Sequence, residues 1–322
     1  MKRIIILSLL LLIGALATAC SDASVGAEDP DYIDTGVDSD AWITIPAGDF
    51  PMGQENVRTE LNYDYQMMAT DVTVEQYAAF LTEALAAGDI SVDDFEIETG
   101  ELIWEEHGAG GFYEGDPFDG YKHEEEIKAG DHMYMPLADD IGVRLTFDEQ
   151  TKTFTAMPSY TNHPMTMVTW FGANAYCEYI DGRLPLEEEW EKAARGTEID
   201  EAGNGLPFPW GHEIHGEYAN YYSSSDLFEK ISGKLGNTTP IGFYNGQTYQ
   251  GYETHDSSSP YGLYDMGGNV WQWLGTDYAD QHYRHMRGGS FYTYEVDLRT
   301  WKFNSAGPQH YSREIGFRCA SD

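Results

Sequence analysis

Basic residues are scarce in this chain. Lysine and arginine together number 18, against 55 aspartates and glutamates, which gives a formal net charge of -37. Surfaces that bind nucleic acid or anionic membranes need clustered Lys and Arg, so the composition argues against both classes of partner. Cations are the natural partners of such a chain. The acids are spread rather than blocked, and a solvated surface suited to salty surroundings also explains them.

Long apolar runs are scarce as well. A run at residues 4–16 follows two basic residues and is too short to span a bilayer comfortably. Small residues and Cys20 come next, and the string LATAC resembles the lipobox of bacterial lipoproteins, although Ala17 stands where Leu is commoner. We expect a signal peptide over 1–19, acylation of Cys20, and a lipid anchor in the bacterial envelope, at the outer membrane or the periplasmic face. An ordinary secretory signal is the alternative.

The next part of the chain predicts a tether followed by one domain. Residues 20–40 are rich in Ser, Gly and Asp, with no base and almost no large apolar residue, as in a solvated linker. Folding is expected over 41–322, starting near Trp42. Within it, residues 89–157 have no clear period and are interpreted as an insertion that ends in a hairpin around 143–154. No internal repeat emerges.

Three helices are predicted by their boundaries. Thr73 and Gln76 have capping-box spacing at the start of a helix that ends at Gly88. A second helix is expected over about 170–180, and a third within GRLPLEEEWEKAARG, residues 182–196, where three glutamates suit the helix N terminus. Short strands are expected at 287–291 and within 315–322.

The densest chemistry lies in PYGLYDMGGNVWQW, residues 260–273. Asp265, Asn269 and Gln272 offer oxygen atoms, and the adjacent glycines let main-chain carbonyls turn inward. Calcium takes six to eight such oxygens. Two tryptophans alternate as on a half-buried strand. The alternative interpretation is a glycine turn capped by Asp and packed under two indoles.

Taken in order, several strings resemble the sulfatase-modifying-factor family, which contains the formylglycine-generating enzymes. The strings are FPMG, VTVEQYAAFL, HPMTMVTWFGANAYC, GRLPLEEEWEKAARG, FPWG, GLYDMGGNVWQW, RGGSF and GFRC. The resemblance runs from about Trp42 to Asp322, with 89–157 the looser part. It implies a single α+β domain related to C-type lectins, with much irregular backbone.

The resemblance implies two calcium sites and a disulfide. One calcium set comprises four groups: Asp265, the carbonyls of Gly268 and Val270, and Gln272, where the family usually has Glu. The second set comprises Asn220, the carbonyl of Tyr221 and the carboxylate of Asp226. Cys177 and Cys319 stand where the family has a disulfide, which suits an exported protein; two buried free cysteines are the alternative.

The copper chemistry of the family does not carry over. Its enzymes oxidise a substrate cysteine at copper(I) held by two thiolates, which are the ligands that soft ion demands. Thr293 and Leu298 stand at those positions here, so copper is not expected. Trp271 and Ser290, which flank that site in the family, remain and predict a pocket without its metal. His282 and His285 lie close by and could bind a metal, but ordinary polar loop residues are the favoured explanation.

The sequence therefore predicts a non-oxidising family member in the envelope that binds a protein or glycan or serves as a scaffold. The loop over 292–311, with Tyr294, Trp301, Asn304 and His310, is its expected binding face. The alternative function is a copper-dependent oxidoreductase that converts a sulfatase cysteine to formylglycine. No nucleic-acid partner is expected.

Overall fold

A computed structural model describes residues 32–99, 102–117, 126–138, 140, 142–222, 224–225, 237–278 and 283–322. Short strands dominate, and helices are few, in keeping with the α+β class expected from the sequence. The strands are β1 (Trp42–Ile45), β2 (Gly48–Met52), β3 (Val57–Leu61), β4 (Tyr65–Met68), β5 (Ile90–Thr99), β6 (Leu102–Tyr113), β7 (Gly130–Pro136), β8 (Leu145–Asp148), β9 (Thr153–Ala156), β10 (Thr248–Tyr249), β11 (Tyr252–Glu253), β12 (Trp271–Tyr278), β13 (Tyr283–Arg287), β14 (Phe303–Ala306), β15 (Ile315–Gly316) and β16 (Ala320–Ser321). The α-helices of the described residues are α1 (Val74–Ala87), α2 (Trp170–Tyr179) and α3 (Glu187–Arg195).

The three predicted helices are confirmed, and their caps explain where they begin and end. The Thr73 hydroxyl accepts a hydrogen bond from the Gln76 amide at 3.2 Å, and the Gln76 side chain accepts one from the Thr73 amide at 2.9 Å. Gly88 ends α1 in the left-handed conformation, with a φ of 83°. Because these signals are local, the sequence alone was enough to place the helix ends.

One sheet joins strands from the two ends of the described chain. It has the order β1-β4-β16, whereas a second sheet, with the order β14-β13-β12-β15, is built from strands that all follow residue 270. Strand β12 lies between two neighbours and is buried on both faces, since Trp271, Gln272 and Trp273 are all inaccessible. The alternation of the two tryptophans therefore does not mark a half-exposed strand, as the sequence suggested.

The predicted strand at 287–291 is mostly wrong. Strand β13 ends at Arg287, and Gly288 and Gly289 both have positive φ, at 99° and 75°. Such backbone leaves the extended region at once, so the residues after Arg287 form a turn.

The insertion at 89–157 is more regular than its composition indicated. Strands β5, β6 and β7 form an antiparallel sheet, and the expected hairpin is present as β8 paired with β9. Phe95 and Ile97 alternate with acids along β5 and pack together with Met133 of β7. This period of two was available in the sequence, but the exposed acids between the apolar residues obscured it.

The packed structure begins before Trp42, so the predicted tether to residue 40 is too long. The carbonyl of Ile33 accepts a hydrogen bond from the Asn162 side chain at 2.7 Å, and the Thr35 hydroxyl donates to the carbonyl of Ile241 at 2.9 Å. The signal peptide and Cys20 lie outside the described residues. Within the described part of the chain, no helix has both the length and the hydropathy needed to cross a membrane.

The disulfide is confirmed. Cys177 on α2 and Cys319 just before β16 are bonded, with an S–S distance of 2.02 Å and both residues fully buried in the largest apolar cluster. The bond ties α2 to the C-terminal strand, next to the pairing of β16 with β4.

Candidate functional site

The stretch at 260–273 lies where three loops meet. The Asn269 amide donates to the Asn220 carbonyl at 2.8 Å, and the Asn269 side chain exchanges hydrogen bonds with the backbone of Thr239. Gly268 has a φ of 88°, and a Cβ there would lie 2.5 Å from the Asn220 carbonyl oxygen. Only glycine allows this approach. The structure therefore brings the two predicted calcium sets side by side.

Gln272 is committed to other partners within the first calcium set. Its Oε1 accepts hydrogen bonds from Trp190 Nε1 at 2.6 Å and from Arg318 Nε at 3.0 Å. Its Nε2 donates to the main-chain carbonyl of Asp265 at 2.7 Å. Both partners of the oxygen are obligate donors, which fixes the orientation of the amide. Both lone pairs of the oxygen are used, so the Gln272 side chain does not fit the role of a calcium ligand.

Arg318 supplies a buried positive charge at the same place. Its guanidinium also donates to the carbonyls of Met68 and Tyr264 and bonds Asp71 at 3.3 Å. Burial raises the pKa of Asp265 to about 6, against the opposing effects of the Gly242 amide and Arg318. Asp71 is fully buried, and its pKa is also raised by burial. The first set is thus a closed network whose hydrogen-bond donors include the Arg318 guanidinium, the Gln272 amide and the Trp190 indole.

Sequence reasoning missed the role of Arg318. The residue lies in the string IGFRCA, where an arginine stands among apolar residues that are all buried. A charge in such a string has to be paired inside the protein, and this signal indicates a buried network even without a structure.

The second set is described only in part. Asn220 Nδ2 donates to the carbonyl of Asn237 at 2.8 Å, which leaves its Oδ1 as the ligand atom, and the Tyr221 carbonyl accepts from the Ser224 amide at 2.9 Å. The Asn220 Oδ1 and the Tyr221 carbonyl oxygen are both of the kind that calcium binds. Asp226 lies outside the described residues, so calcium at this set stays a prediction of the family resemblance.

Thr293 holds a turn at the first of the two copper positions. Its hydroxyl accepts from the Ser290 amide at 2.9 Å and donates to the Ser290 carbonyl at 3.1 Å. The Ser290 hydroxyl in turn donates to Glu314 at 2.5 Å. Trp271 contacts the same residue, since its amide donates to the Glu314 carbonyl at 2.8 Å. The structure thus brings Trp271, Ser290 and Thr293 together.

Leu298 fills the second copper position with an apolar side chain. It is fully buried in a cluster with Phe208 and Ala219, and it lies against Gly268 and Gly289. A hydroxyl engaged in a turn and a packed isobutyl group do not fit copper(I), which requires thiolates. Across the described residues, no group of three or more His, Cys, Asp or Glu side chains is placed to hold a metal ion.

His285 belongs to a buried ionic network between β13 and α3. Its Nδ1 bonds Glu187 at 2.9 Å, and Arg287 contacts both Glu187 and Glu191. Burial raises the pKa of Glu187, but the bonds from His285 and Arg287 outweigh it and lower that pKa to about 2. His285 therefore supports the α3 interface, and His282 lies outside the described residues.

Three of the four residues named on the expected binding face, Tyr294, Asn304 and His310, are exposed. Tyr294 is 59% exposed and packs edge to face against Tyr222, which is 46% exposed, with ring centroids 5.1 Å apart. Trp301 lies between Arg195 and Arg299 and is half-buried. Burial lowers the pKa of His310, and Asn304 lies on β14. The exposed part of the face thus comprises the tyrosine pair next to Thr293 together with Asn304 and His310.

Comparison with known proteins places this geometry among related chains. The family model for the sulfatase-modifying factor enzyme 1-like domain matches residues 32–322. The formylglycine-generating enzyme of Mus musculus is 28% identical over 305 residues, which are 87% of this chain and 74% of the enzyme. The inactive C-alpha-formylglycine-generating enzyme 2 of Bos taurus is 34% identical over 167 residues, or 49% of this chain and 50% of that protein.

Other similar proteins have different names. The serine/threonine-protein kinase Pkn1 of Chlamydia trachomatis is 34% identical over 183 residues, which are 51% of this chain but only 25% of the kinase. The chain therefore spans about a quarter of that relative's length. Among solved structures, CarF superposes with a TM-score of 0.51 at 18% identity, covering 87% of this chain and 97% of CarF. That likeness shows the fold alone.

Proposed function

Since this chain belongs to the family of sulfatase-modifying factor enzyme 1-like domains, we propose that it is a non-oxidising member that acts as a ligand-binding or scaffold module. The observation that carries the proposal is the state of its thiols. Copper(I) chemistry needs a pair of thiolates, and the chain has three cysteines in all, at positions 20, 177 and 319. Cys177 and Cys319 are bonded to each other. At most one free thiol remains.

The side chains at the former copper positions support the same conclusion. Thr293 and Leu298 each have a structural task, one in a turn and one in an apolar cluster. Each therefore stabilises a loop and leaves no vacant position for a metal. The bovine relative named inactive indicates that members without the activity occur.

The site offers a surface for binding instead. Tyr222 and Tyr294 are both exposed. They lie beside the Thr293 turn, since the Tyr222 amide donates to the Thr293 carbonyl at 2.8 Å. Exposed tyrosines give large contact area at low cost in side-chain entropy and are enriched where proteins bind partners. We place the ligand, a protein or a glycan, on this face.

We also propose that the protein is exported and anchored in the bacterial envelope by acylation of Cys20. The support is the basic start, the apolar run at 4–16 and the LATAC string of the sequence. A disulfide in the domain is in keeping with an oxidising compartment.

The experiment that tests the function measures oxidation directly. The protein is incubated with a cysteine-containing sulfatase peptide, with and without copper(I), and the peptide mass is followed beside an active formylglycine-generating enzyme. We expect no conversion of cysteine to formylglycine in either condition. Conversion above the copper-free control would overturn the proposal and establish the oxidoreductase alternative.

A matched binding measurement distinguishes binding at the tyrosine pair from non-specific adsorption. A Tyr222→Ala and Tyr294→Ala double variant should lose most of the partner recovered from envelope extract by the wild-type protein. The Tyr283→Ala variant removes a similarly exposed tyrosine from β13, away from the Thr293 turn, and should retain it. Equal recovery by all three proteins would place the ligand elsewhere.

A further inference from the structure

A pocket with a volume of about 300 Å³ lies on the β1-β4-β16 sheet. Its floor is one face of that sheet, because Trp42 pairs with Met68 and Ser321 pairs with Gln66, which lies two residues before Met68 on β4. Its walls come from the residue before β1, the start of α1 and the end of α2, and they comprise Asp40, Gln76, Tyr176, Ile180 and Asp181. Such a volume is at the lower end of what small-molecule sites enclose.

The hydroxyl of Tyr176 lacks a partner inside the protein. The residue is 4% exposed, and its hydroxyl makes no hydrogen bond to any described residue. The hydroxyl still has accessible surface, since the fully enclosed unpaired groups include that of Tyr77 but not that of Tyr176. Burial, and next the charge of nearby Asp40, raise the pKa of Tyr176. An unpaired hydroxyl on a buried residue calls for a partner, and the pocket that Asp40 also lines is where a ligand can reach it.

Packed rings hold that hydroxyl in place. The Tyr176 ring stacks on Tyr77 with centroids 5.8 Å apart, and it meets Phe80 and Phe317 edge to face at 5.5 Å each. The ring is therefore part of the core, and its hydroxyl is the part that it offers to the pocket. A polar group fixed in this way binds a ligand without the entropic cost of ordering its side chain.

The other polar groups of the pocket include both donors and acceptors. Asp40 Oδ1 accepts from Gln76 Nε2 at 2.8 Å, which leaves Oδ2 for a ligand. Asp181 and Gln66 are exposed, and neither side chain bonds to another residue of the described chain. The Trp42 indole N–H, which can only donate, is likewise unpaired among the described residues. A ligand that satisfies the pocket therefore both accepts and donates hydrogen bonds.

This mixture selects among ligand classes. The two carboxylates repel an anion, and no lysine or arginine lines the pocket to offset them. An ammonium has donors but no acceptor, so it would leave the N–H groups of Trp42 and Gln66 unpaired. A hydroxyl both donates and accepts. A ring that carries several neutral hydroxyls satisfies the carboxylates, the amide, the indole N–H and the Tyr176 hydroxyl together.

The pocket also has an apolar side. Trp42 packs partly against the core, which fixes its ring, and the rest of the indole lines the pocket together with Met68 and Ile180. Aromatic side chains of this kind combine a large apolar surface with one polar group. A flat ligand with C–H groups on its faces and hydroxyls around its edge matches this arrangement.

We propose that this pocket binds a neutral sugar ring. The hydroxyls of the ring pair with Asp40, Asp181 and Tyr176, and its C–H groups pack against Trp42. The inference goes beyond the proposed function, because the pocket shares no residue with the face at Tyr222 and Tyr294.

The test is saturation-transfer NMR of the full-length protein with defined sugars. The neutral probes are glucose, galactose, mannose and N-acetylglucosamine, each also as its methyl glycoside. At least one should bind, with a Kd on the order of 1 mM for so small a ligand. The uronic acid of the same configuration should bind at least about tenfold more weakly, because it brings a third carboxylate to the pocket.

The methyl glycosides distinguish two sources of the ring. A methyl group blocks the anomeric hydroxyl as a glycosidic bond does. Equal binding of a sugar and its methyl glycoside identifies the end of a glycan as the ligand, whereas binding of the unmodified sugar alone identifies a free monosaccharide.

Two variants test the residues that carry the proposal. Tyr176→Phe removes the hydroxyl and keeps the packed ring, so it should weaken the sugar about fivefold while the Tm does not fall. Tyr77→Phe is the matched control, since it removes an unpaired buried hydroxyl from the same ring cluster outside the pocket, and it should bind like the wild type. Asp181→Asn keeps the size of the side chain and tolerates the φ of 59° at this position; it should weaken the sugar about threefold.

Three results would overturn the inference: no saturation transfer to any neutral sugar, equal weakening by Tyr176→Phe and Tyr77→Phe, or binding of the corresponding amino sugar more than about tenfold tighter, which would show a cation site. Loss of the sugar signal in the Tyr222→Ala and Tyr294→Ala double variant would place the sugar on the other face and also overturn it. None of these results depends on cysteine oxidation, so failure of this inference and failure of the non-oxidising function are distinguishable.

Discussion

Replacing Gln272 by glutamate should make the first loop depend on calcium. In the wild type, Gln272 Nε2 donates to the Asp265 carbonyl at 2.7 Å, while Oε1 serves Trp190 and Arg318. Glutamate keeps the oxygen that accepts from Trp190 and Arg318, but it replaces the Nε2 donor with a carboxylate oxygen that faces the Asp265 carbonyl oxygen. The lost hydrogen bond and the buried oxygen left without a donor should together cost about 3 kcal/mol without calcium. For a chain of this size, that corresponds to a fall in Tm of about 6 °C.

Calcium should reverse the loss in that variant. The carboxylate would join Asp265 and the two loop carbonyls as an oxygen ligand, and an ion present at about 100 times its Kd stabilises the native state by about 2.7 kcal/mol. The measurement is the melting temperature in calcium and in EDTA. The wild type is measured in parallel, so that any response from the second set is subtracted.

A matched variant separates the gain of a ligand from the loss of a hydrogen bond. Gln272→Met lacks both donor and acceptor, and it should be destabilised equally in calcium and in EDTA. The reasoning fails if Gln272→Glu responds to calcium no more than the wild type does. It also fails if Asp265→Asn abolishes a calcium response of the wild-type protein, since the loop would then bind the ion with glutamine in place.

Three further changes have defined outcomes. Replacing Cys177 and Cys319 by serine frees a loop of 142 residues and should lower the free energy of unfolding by about 5 kcal/mol in the chain-entropy model; a calorimetric Tm equal to that of the wild type would contradict this. Because the pKa of Glu187 is lowered to about 2, its contribution is present above pH 4.3 or so and is lost as the pH falls through 2. Glu187→Gln should therefore lower the free energy of unfolding in urea by about 3 kcal/mol at pH 6, and the stability of the variant should fall less steeply than that of the wild type as the pH is lowered. An unchanged dependence on pH in the acid range would refute the lowered pKa of Glu187. Cys20→Ser should move the protein from the membrane to the soluble fraction on cell fractionation, and continued membrane association would count against lipidation.

Local signals in the sequence were enough for the helices. The capping box of Thr73 and Gln76 and the C-terminal Gly88 act within four residues of the helix they bound, and each has the predicted role. The same holds for the hairpin of β8 and β9. What is fixed by neighbours in the chain can be predicted from one sequence.

The site could be predicted only in outline, because its chemistry depends on distant partners. The Gln272 side chain is an oxygen ligand by residue type, but Arg318 and Trp190, 46 and 82 residues away, use its oxygen. No pattern in the chain brings these three residues together. A separation of 24 residues likewise hid the bond between Ser290 and Glu314. The sequence could therefore name the residues of the loop but not the bonds that each one makes.

The pairing of β16 with β4 has a consequence for the order in which the protein is made. Ala320 lies opposite Met67, and Cys319 bonds Cys177, so residues 319–321 complete structure that begins with β4. Because a chain is synthesised from its N terminus, β4 lacks this partner until those residues have left the ribosome. The nascent domain therefore presents an unpaired strand edge during almost all of its own synthesis, the interval in which chaperones protect incomplete domains. The β1-β4-β16 sheet is completed only after the rest of the domain has been synthesised.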